Sequence, residues 1–185
     1  MVALPEVLDR LRAWDVETRA GQAPVMGKDL VHKHHQENAF ISRVERVDDD
    51  EHADEFIGQL HLETSHPFFF EHPLDHFPGL MMVEAGRQLG TAVAHLFYDV
   101  PRDSSFVLNG MNVDFTTFAE LDKPVFVNST VSDKKYKRDA LLGMFYEGHF
   151  VQNEAEIGYM SGRWTIYPRR AIERMRRAAK MSHGG

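Results

Sequence analysis

One run constrains this chain more than any other: GLMMVEAGRQLGTAVAHLFY, Gly79 to Tyr98. It predicts a helix of about twenty residues, with Pro78 before it and Asp99 and Pro101 ending it. Apolar residues nearly surround that helix, so other elements must enclose it on most sides. The exceptions are Glu84, Gln88, Thr91 and His95. Their spacing of four, three and four draws one polar stripe down a single face.

The enclosing elements read as strands. Asn38 to Val47 is strand-like. FIGQLHLET alternates, with Phe56, Gly58, Leu60 and Leu62 on one side and Gln59, His61 and Glu63 on the other, as in a half-buried strand. The two are expected to pair antiparallel across the acidic connection VDDDEHADE. Four further strand-like segments follow the helix: SFVLNGMNVDFT, KPVFVNSTVSD, ALLGMFYEGHFVQ and EAEIGYMSGRWTIYP. An antiparallel meander is the simplest arrangement for them. At the N-terminus, LPEVLDRLRAW reads as a short amphipathic helix, with Leu4, Val7, Leu8, Leu11 and Trp14 on one face. The expected fold class is α+β, with a long central helix wrapped by a curved antiparallel sheet.

Composition narrows the function. A chain of 185 residues suggests one domain. Its formal net charge of -7 makes it a poor partner for nucleic acid. It contains no cysteine, which removes disulfides, thiolate nucleophiles and cysteine-ligated zinc, and fits a cytoplasmic protein. No apolar run reaches about eighteen residues, so no membrane span is expected. The first residues lack the basic start and the cleavage site of a signal peptide.

Several residues are candidates for chemistry. Glu84 sits inside the most hydrophobic segment of the chain. A buried carboxylate must be paired, or else its pKa rises. A pKa raised toward neutrality suits a general acid or base, and the plainer alternative is a surface salt bridge to Arg87. His72 and His76 stand four apart, but Pro73 and Pro78 oppose a regular helix and no third ligand lies nearby, so no metal is expected. A catalytic or substrate-orienting histidine fits better, with a loop histidine bonded to backbone as the alternative. His32, Lys33, His34 and His35 form a solvated loop by default, although their charge suits a phosphate or carboxylate. PFFFEH reads as core or dimer interface. The C-terminal RRAIERMRRAAK has six basic residues against one acidic, which gives a solvated face or a dock for an acidic partner.

HFPGLMMVEAGRQ resembles the opening of the central helix in hotdog-fold acyl-thioester enzymes. In the 3-hydroxyacyl-carrier-protein dehydratases a Pro-Gly leads to a Glu-Ala and then a Gln, matched here by Pro78-Gly79, Glu84-Ala85 and Gln88. The dehydratase histidine lies fourteen residues before the glutamate, a position that holds Phe70 in this chain. A closer resemblance is to the A-factor (γ-butyrolactone autoregulator) biosynthesis hotdog family. It is carried by VHK at Val31–Lys33, by HPLDHFPGLMMVEAGRQ, and by HLFYDVPRDSSFVLNGMNVDF, and covers roughly residues 28 to 167.

That resemblance implies a single hotdog domain over 28–168, preceded by an N-terminal helix and loop (1–27) and followed by a basic helix and disordered tail (169–185). It implies an acyl-thioester enzyme moving a (β-keto)acyl group from an acyl carrier protein or CoA to a hydroxyl acceptor. Dehydration, thioester hydrolysis and a non-catalytic acyl-binding or structural subunit are the alternatives. Glu84 with His72 or His76 would be catalytic. Arg87, Gln88, Gly79, Lys33 and His32 would bind substrate. No cofactor is expected, and a homodimer or higher homo-oligomer is, because family sites form between two such domains.

Overall fold

A computed structural model describes residues 5–21, 23–47 and 54–182. The acidic connection at 48–53, Leu4 and the end of the tail lie outside the described residues, as do the side chains of Val7 and Leu8. The elements run α1 (Pro5–Arg19), β1 (Ile41–Arg46), β2 (Glu55–Leu60), α2 (Gly79–Phe97), β3 (Ser105–Phe115), β4 (Phe126–Lys137), β5 (Ala140–Gln152), β6 (Ala155–Tyr167) and α3 (Arg169–Ser182). Two short 3₁₀ turns, Lys28–Val31 and Gln36–Asn38, precede β1. The six strands form one antiparallel sheet in the order β1-β2-β4-β5-β6-β3. This is the expected α+β hotdog.

Apolar periodicity explains how α2 seats itself. Met81, Met82, Ala85, Leu89, Ala92, Val93 and Ala94 are buried and share one core with Phe56, Met144, Tyr146, Phe150, Met160 and Trp164 of the sheet. Small residues let the helix come close. A Cβ at Gly86 would lie 2.1 Å from Met160 Sδ, and one at Gly90 would lie 3.3 Å from the Tyr146 ring. Asp99, with φ of 52°, takes the left-handed turn just beyond the helix end.

Two expectations are corrected. β3 does not meander into β4. It pairs with β6 at the far edge, and β4 returns to pair with β2. The physical reason is α2, which carries the chain across the sheet before β3 begins. Nor is β2 half-buried. Its residues from Phe56 to Leu60 are all buried, because α1 covers the outer face. Leu11 and Trp14 of α1 pack there with Ile57 and Phe126 as a second core. Gln59, expected outside, is fully buried and hydrogen-bonds to the Thr18 hydroxyl.

Candidate functional site

The polar stripe of α2 is covered by the segment that leads into β1. The Lys28–Val31 turn ends at His32, which adopts the left-handed conformation (φ 57°, ψ 48°). The Lys33 N–H donates back to the Lys28 carbonyl at 2.9 Å. This sharp turn lays Val31, His32 and Lys33 along the helix, and each meets a different part of the stripe. The Val31 carbonyl accepts from Arg87 Nη2 at 3.4 Å, Lys33 Nζ reaches Glu84, and the His32 ring reaches His95. Gln88 holds the next stretch of chain. Its amide oxygen accepts from the Phe40 N–H, and its Nε2 donates to the Asn38 carbonyl, both at 2.8 Å.

Glu84 is the centre of this arrangement. Arg87 grips it with two N–H groups, Nε to Oε2 at 2.7 Å and Nη2 to Oε1 at 2.8 Å. Lys33 Nζ lies 2.7 Å from Oε1, and Gln88 Nε2 donates to Oε1 at 3.0 Å. The three charged side chains remain about a quarter exposed: Lys33 27%, Arg87 24% and Glu84 23%. Burial pushes the Glu84 carboxyl upward. The hydrogen bonds and charge of Arg87, with hydrogen bonds from Lys33 and Gln88, outweigh it and hold the carboxyl at about 2. The expectation of a pKa raised toward neutrality is therefore corrected. Two cations and an amide meet one carboxylate, where the sequence suggested a single surface pair.

Further down the helix, Thr91 Oγ donates to the Arg87 carbonyl at 3.1 Å and accepts from Arg87 Nη1 at 3.5 Å. His95 Nδ1 lies 2.7 Å from the Val100 carbonyl, so that nitrogen carries the proton. Its Nε2 is then an acceptor for His32 Nε2 at 2.9 Å. Burial and the neighbouring charges of His95 and Arg87 push His32 below its ordinary range. Burial does the same for His95, with Arg102 adding to it.

Neither histidine of the loop joins Glu84. His72 is exposed and makes no hydrogen bond, ion pair or ring contact among the described residues. His76 pairs with Asp75 at 2.7 Å, and its ring packs on Phe118 at 4.6 Å. With Gly79, Met82 and Phe115 it lines a cavity of about 390 Å³ at the start of α2. Met82 and Glu84 are two residues apart, about 200° around the helix, so this cavity and the carboxylate face different ways. Gly79 lets the Phe115 ring close over the helix start, where a Cβ would meet that ring at 2.8 Å. Among the described residues, no group of three His, Cys, Asp or Glu side chains is placed to hold a metal ion. No described helix is long and apolar enough to cross a membrane.

Sequence reasoning assigned roles to Glu84, Arg87, Gln88, Lys33 and His32, and the structure brings these five together. It missed His95 as a partner of His32 and Asn38 as a partner of Gln88. The stripe reaching His95 was the available signal for the first. The second is a backbone carbonyl, which no side-chain pattern announces.

Comparison with known proteins adds the lineage. A segment of 71 residues is 35% identical to a 2-oxo-3-(phosphooxy)propyl 3-oxoalkanoate synthase of Streptomyces virginiae, covering 38% of this chain and 22% of that protein. A segment of 73 residues is 34% identical to the synthase of the same name from Streptomyces coelicolor, covering 40% and 21%. The match thus spans about a fifth of the length of these relatives. Among solved structures, a phenylacetic acid degradation-related protein from Ralstonia eutropha aligns over 82% of this chain and 98% of its own, with 12% identity and a TM-score of 0.49. AziG of S. sahachiroi aligns over 69% and 89%, with 10% identity and a TM-score of 0.48. The family profile for the A-factor biosynthesis hotdog domain matches residues 14–168, most of the chain, and the protein belongs to that family.

Proposed function

We propose that this protein is an acyl-thioester enzyme that transfers a β-ketoacyl group from a carrier protein or CoA to the hydroxyl of a phosphorylated acceptor. The acceptor oxygen attacks the thioester carbonyl, the C–S bond breaks, and the departing thiolate takes up the hydroxyl proton. The observation that carries the reading is the cluster of Lys33 and Arg87 on Glu84. It sets two cations on one carboxylate in a chain that is acidic as a whole. Such a centre favours an anionic substrate group. The relatives' name describes an ester of a 3-oxoalkanoate with a phosphate-bearing alcohol, which supports a phosphate as that group.

In this reading Lys33 turns from Glu84 to the phosphate. Glu84, relieved of one cation, then accepts a hydrogen bond from the attacking hydroxyl. Arg87 and Gln88 keep the carboxylate aimed. The exposed edge of β3, with Leu108, Met111 and Phe115 each about two-fifths exposed, supports pairing with a second copy. His76 and Gly79, at the cavity by the helix start, would then contact the acyl chain or thioester.

The locked state of Glu84 also favours a second reading, a subunit that binds an acyl group without turning it over. A carboxyl held at about 2 is a poor base at neutral pH. One experiment separates the readings. Incubate the protein with 3-ketoacyl and 3-hydroxyacyl thioesters of carrier protein and CoA, with and without dihydroxyacetone phosphate, and analyse the products by mass spectrometry. Transfer predicts a phosphate-bearing ester only when the acceptor is present. Free acid in both arms would mean hydrolysis, a 2-enoyl product dehydration, and bound but unchanged thioester the non-catalytic subunit.

A further inference from the structure

We infer that His95 and His32 form a proton-sharing imidazole pair that positions Lys33, so that assembly of the Lys33–Glu84–Arg87 centre depends on the protonation of residues outside it.

The geometry fixes the neutral state. His95 spends its Nδ1 proton on the Val100 carbonyl, which leaves Nε2 as an acceptor. At 2.9 Å, His32 Nε2 must be the donor. The two rings lie 4.9 Å apart, and both meet the Phe106 ring of β3 edge-on, at 5.3 Å for His32 and 5.4 Å for His95. His95 is only 9% exposed. Water therefore has little access to solvate a second charge.

This pair restrains a residue whose backbone needs restraint. His32 is a non-glycine residue in the left-handed region, a conformation that must be imposed by its surroundings. The turn it makes delivers Lys33, the next residue, to Glu84. The His32–His95 bond ties that turn to the lower end of the same helix face that carries Glu84.

A proton added to each ring would put hydrogens on both facing Nε2 atoms and two cations against each other. The charged groups around the pair are Arg87 from α2 and Arg102 from the connection before β3, and both oppose protonation. The Arg102 backbone can accept from the His32 ring only when that ring carries its second proton, so it favours the charged form, but does not reverse the balance. The sign follows from folded pKa values below the ordinary 6.5. The turn's attachment is complete above that value. It is lost as the pH falls from there toward the folded values, because the opened state binds more protons. Linkage to one proton raises the opening constant up to about tenfold per pH unit in that window.

The test needs no turnover. In ¹⁵N-labelled protein, NMR should find His95 protonated at Nδ1 and His32 at Nε2 above pH 7, with both rings titrating together below 6.5. The protection factor of the Lys33 amide, its exchange rate divided into the intrinsic rate at each pH, should fall as pH falls through the same range. His95→Gln keeps an uncharged acceptor but cannot take a proton. It should remain folded by circular dichroism and flatten the acid dependence of Lys33 protection. If His95→Gln does not fold, His32→Gln, at a half-buried position, makes the same test from the other side. Independent titration of the rings near 6.5 would overturn the pair, as would an unchanged protection profile in a folded variant. The inference rests on the proposed function only for its effect on turnover. Absence of transfer activity would leave the titration and exchange results standing.

Discussion

Glu84 is bound by four donor contacts while keeping 23% of its side chain exposed. Its folded pKa of about 2 lies below the ordinary 4.5, so the stability it supplies is complete above 4.5 and lost as pH falls toward 2. The shift corresponds to at most about 3 kcal/mol, less solvent screening at a partly exposed site. Glu84→Gln should remove that acid dependence, seen as a flatter plot of urea midpoint against pH between 4.5 and 2. The same variant should lose most acyl transfer, and full turnover on every accepted thioester would count against Glu84's role. Lys33→Met leaves Arg87 in place, so the fold should persist. The Glu84 carboxyl should then titrate higher than in the wild type by ¹³C NMR.

At the scale of elements, α2 carries both the packing and the site, and its two faces respond differently to change. Gly86→Val would drive a branched side chain into Met160 and Phe150, with an expected loss of about 1–3 kcal/mol in chemical denaturation. Gln88→Leu would strand the Phe40 N–H and the Asn38 carbonyl, again at about 1–3 kcal/mol, and loosen the entry to β1. The bounds of α2 were legible because Pro78 and Asp99 punctuate a helix apolar almost all round. Its polar stripe was legible because the period of a helix puts Glu84, Gln88, Thr91 and His95 on one line. What escaped reading was whatever depends on a neighbour distant in sequence. The alternation of β2 suggested one wet face, but α1 dries that face with Trp14. The pairing of β3 with β6 has no local signature, since both partners carry the same strand-like composition. The state of Glu84 was open for the same reason. Arg87 is three residues away and visible, whereas Lys33 arrives only through the left-handed turn at His32.

At the scale of the whole molecule, charge is unevenly placed. α3 sets six basic residues against Glu173, while the chain as a whole is at -7. Most of the helix is exposed, with Met175 at 52%. An acidic carrier protein would complement it. Arg174→Glu with Arg177→Glu should raise KM at least several-fold for a carrier-borne thioester and leave KM for the CoA thioester unchanged. The carrier effect should shrink as salt is added. The proposed self-association through β3 makes a separate prediction. Met111→Lys with Leu108→Lys should convert a dimer to a monomer in light scattering, without loss of secondary structure by circular dichroism.

The position of β4 has a consequence for how the chain is made. Gln59 of β2 finds its partner in Phe126 of β4, and the helix and β3 lie between them in sequence. As the protein emerges from the ribosome, β2 is complete long before the strand that will cover its inner edge. During that interval its buried residues have only β1, α1 and the growing helix for company. Pairings between strands so distant in the chain form slowly. The nascent chain is thus most exposed to misassembly while β3 is being synthesised, and a break anywhere between Gln59 and Phe126 would leave two fragments, each with an unclosed sheet.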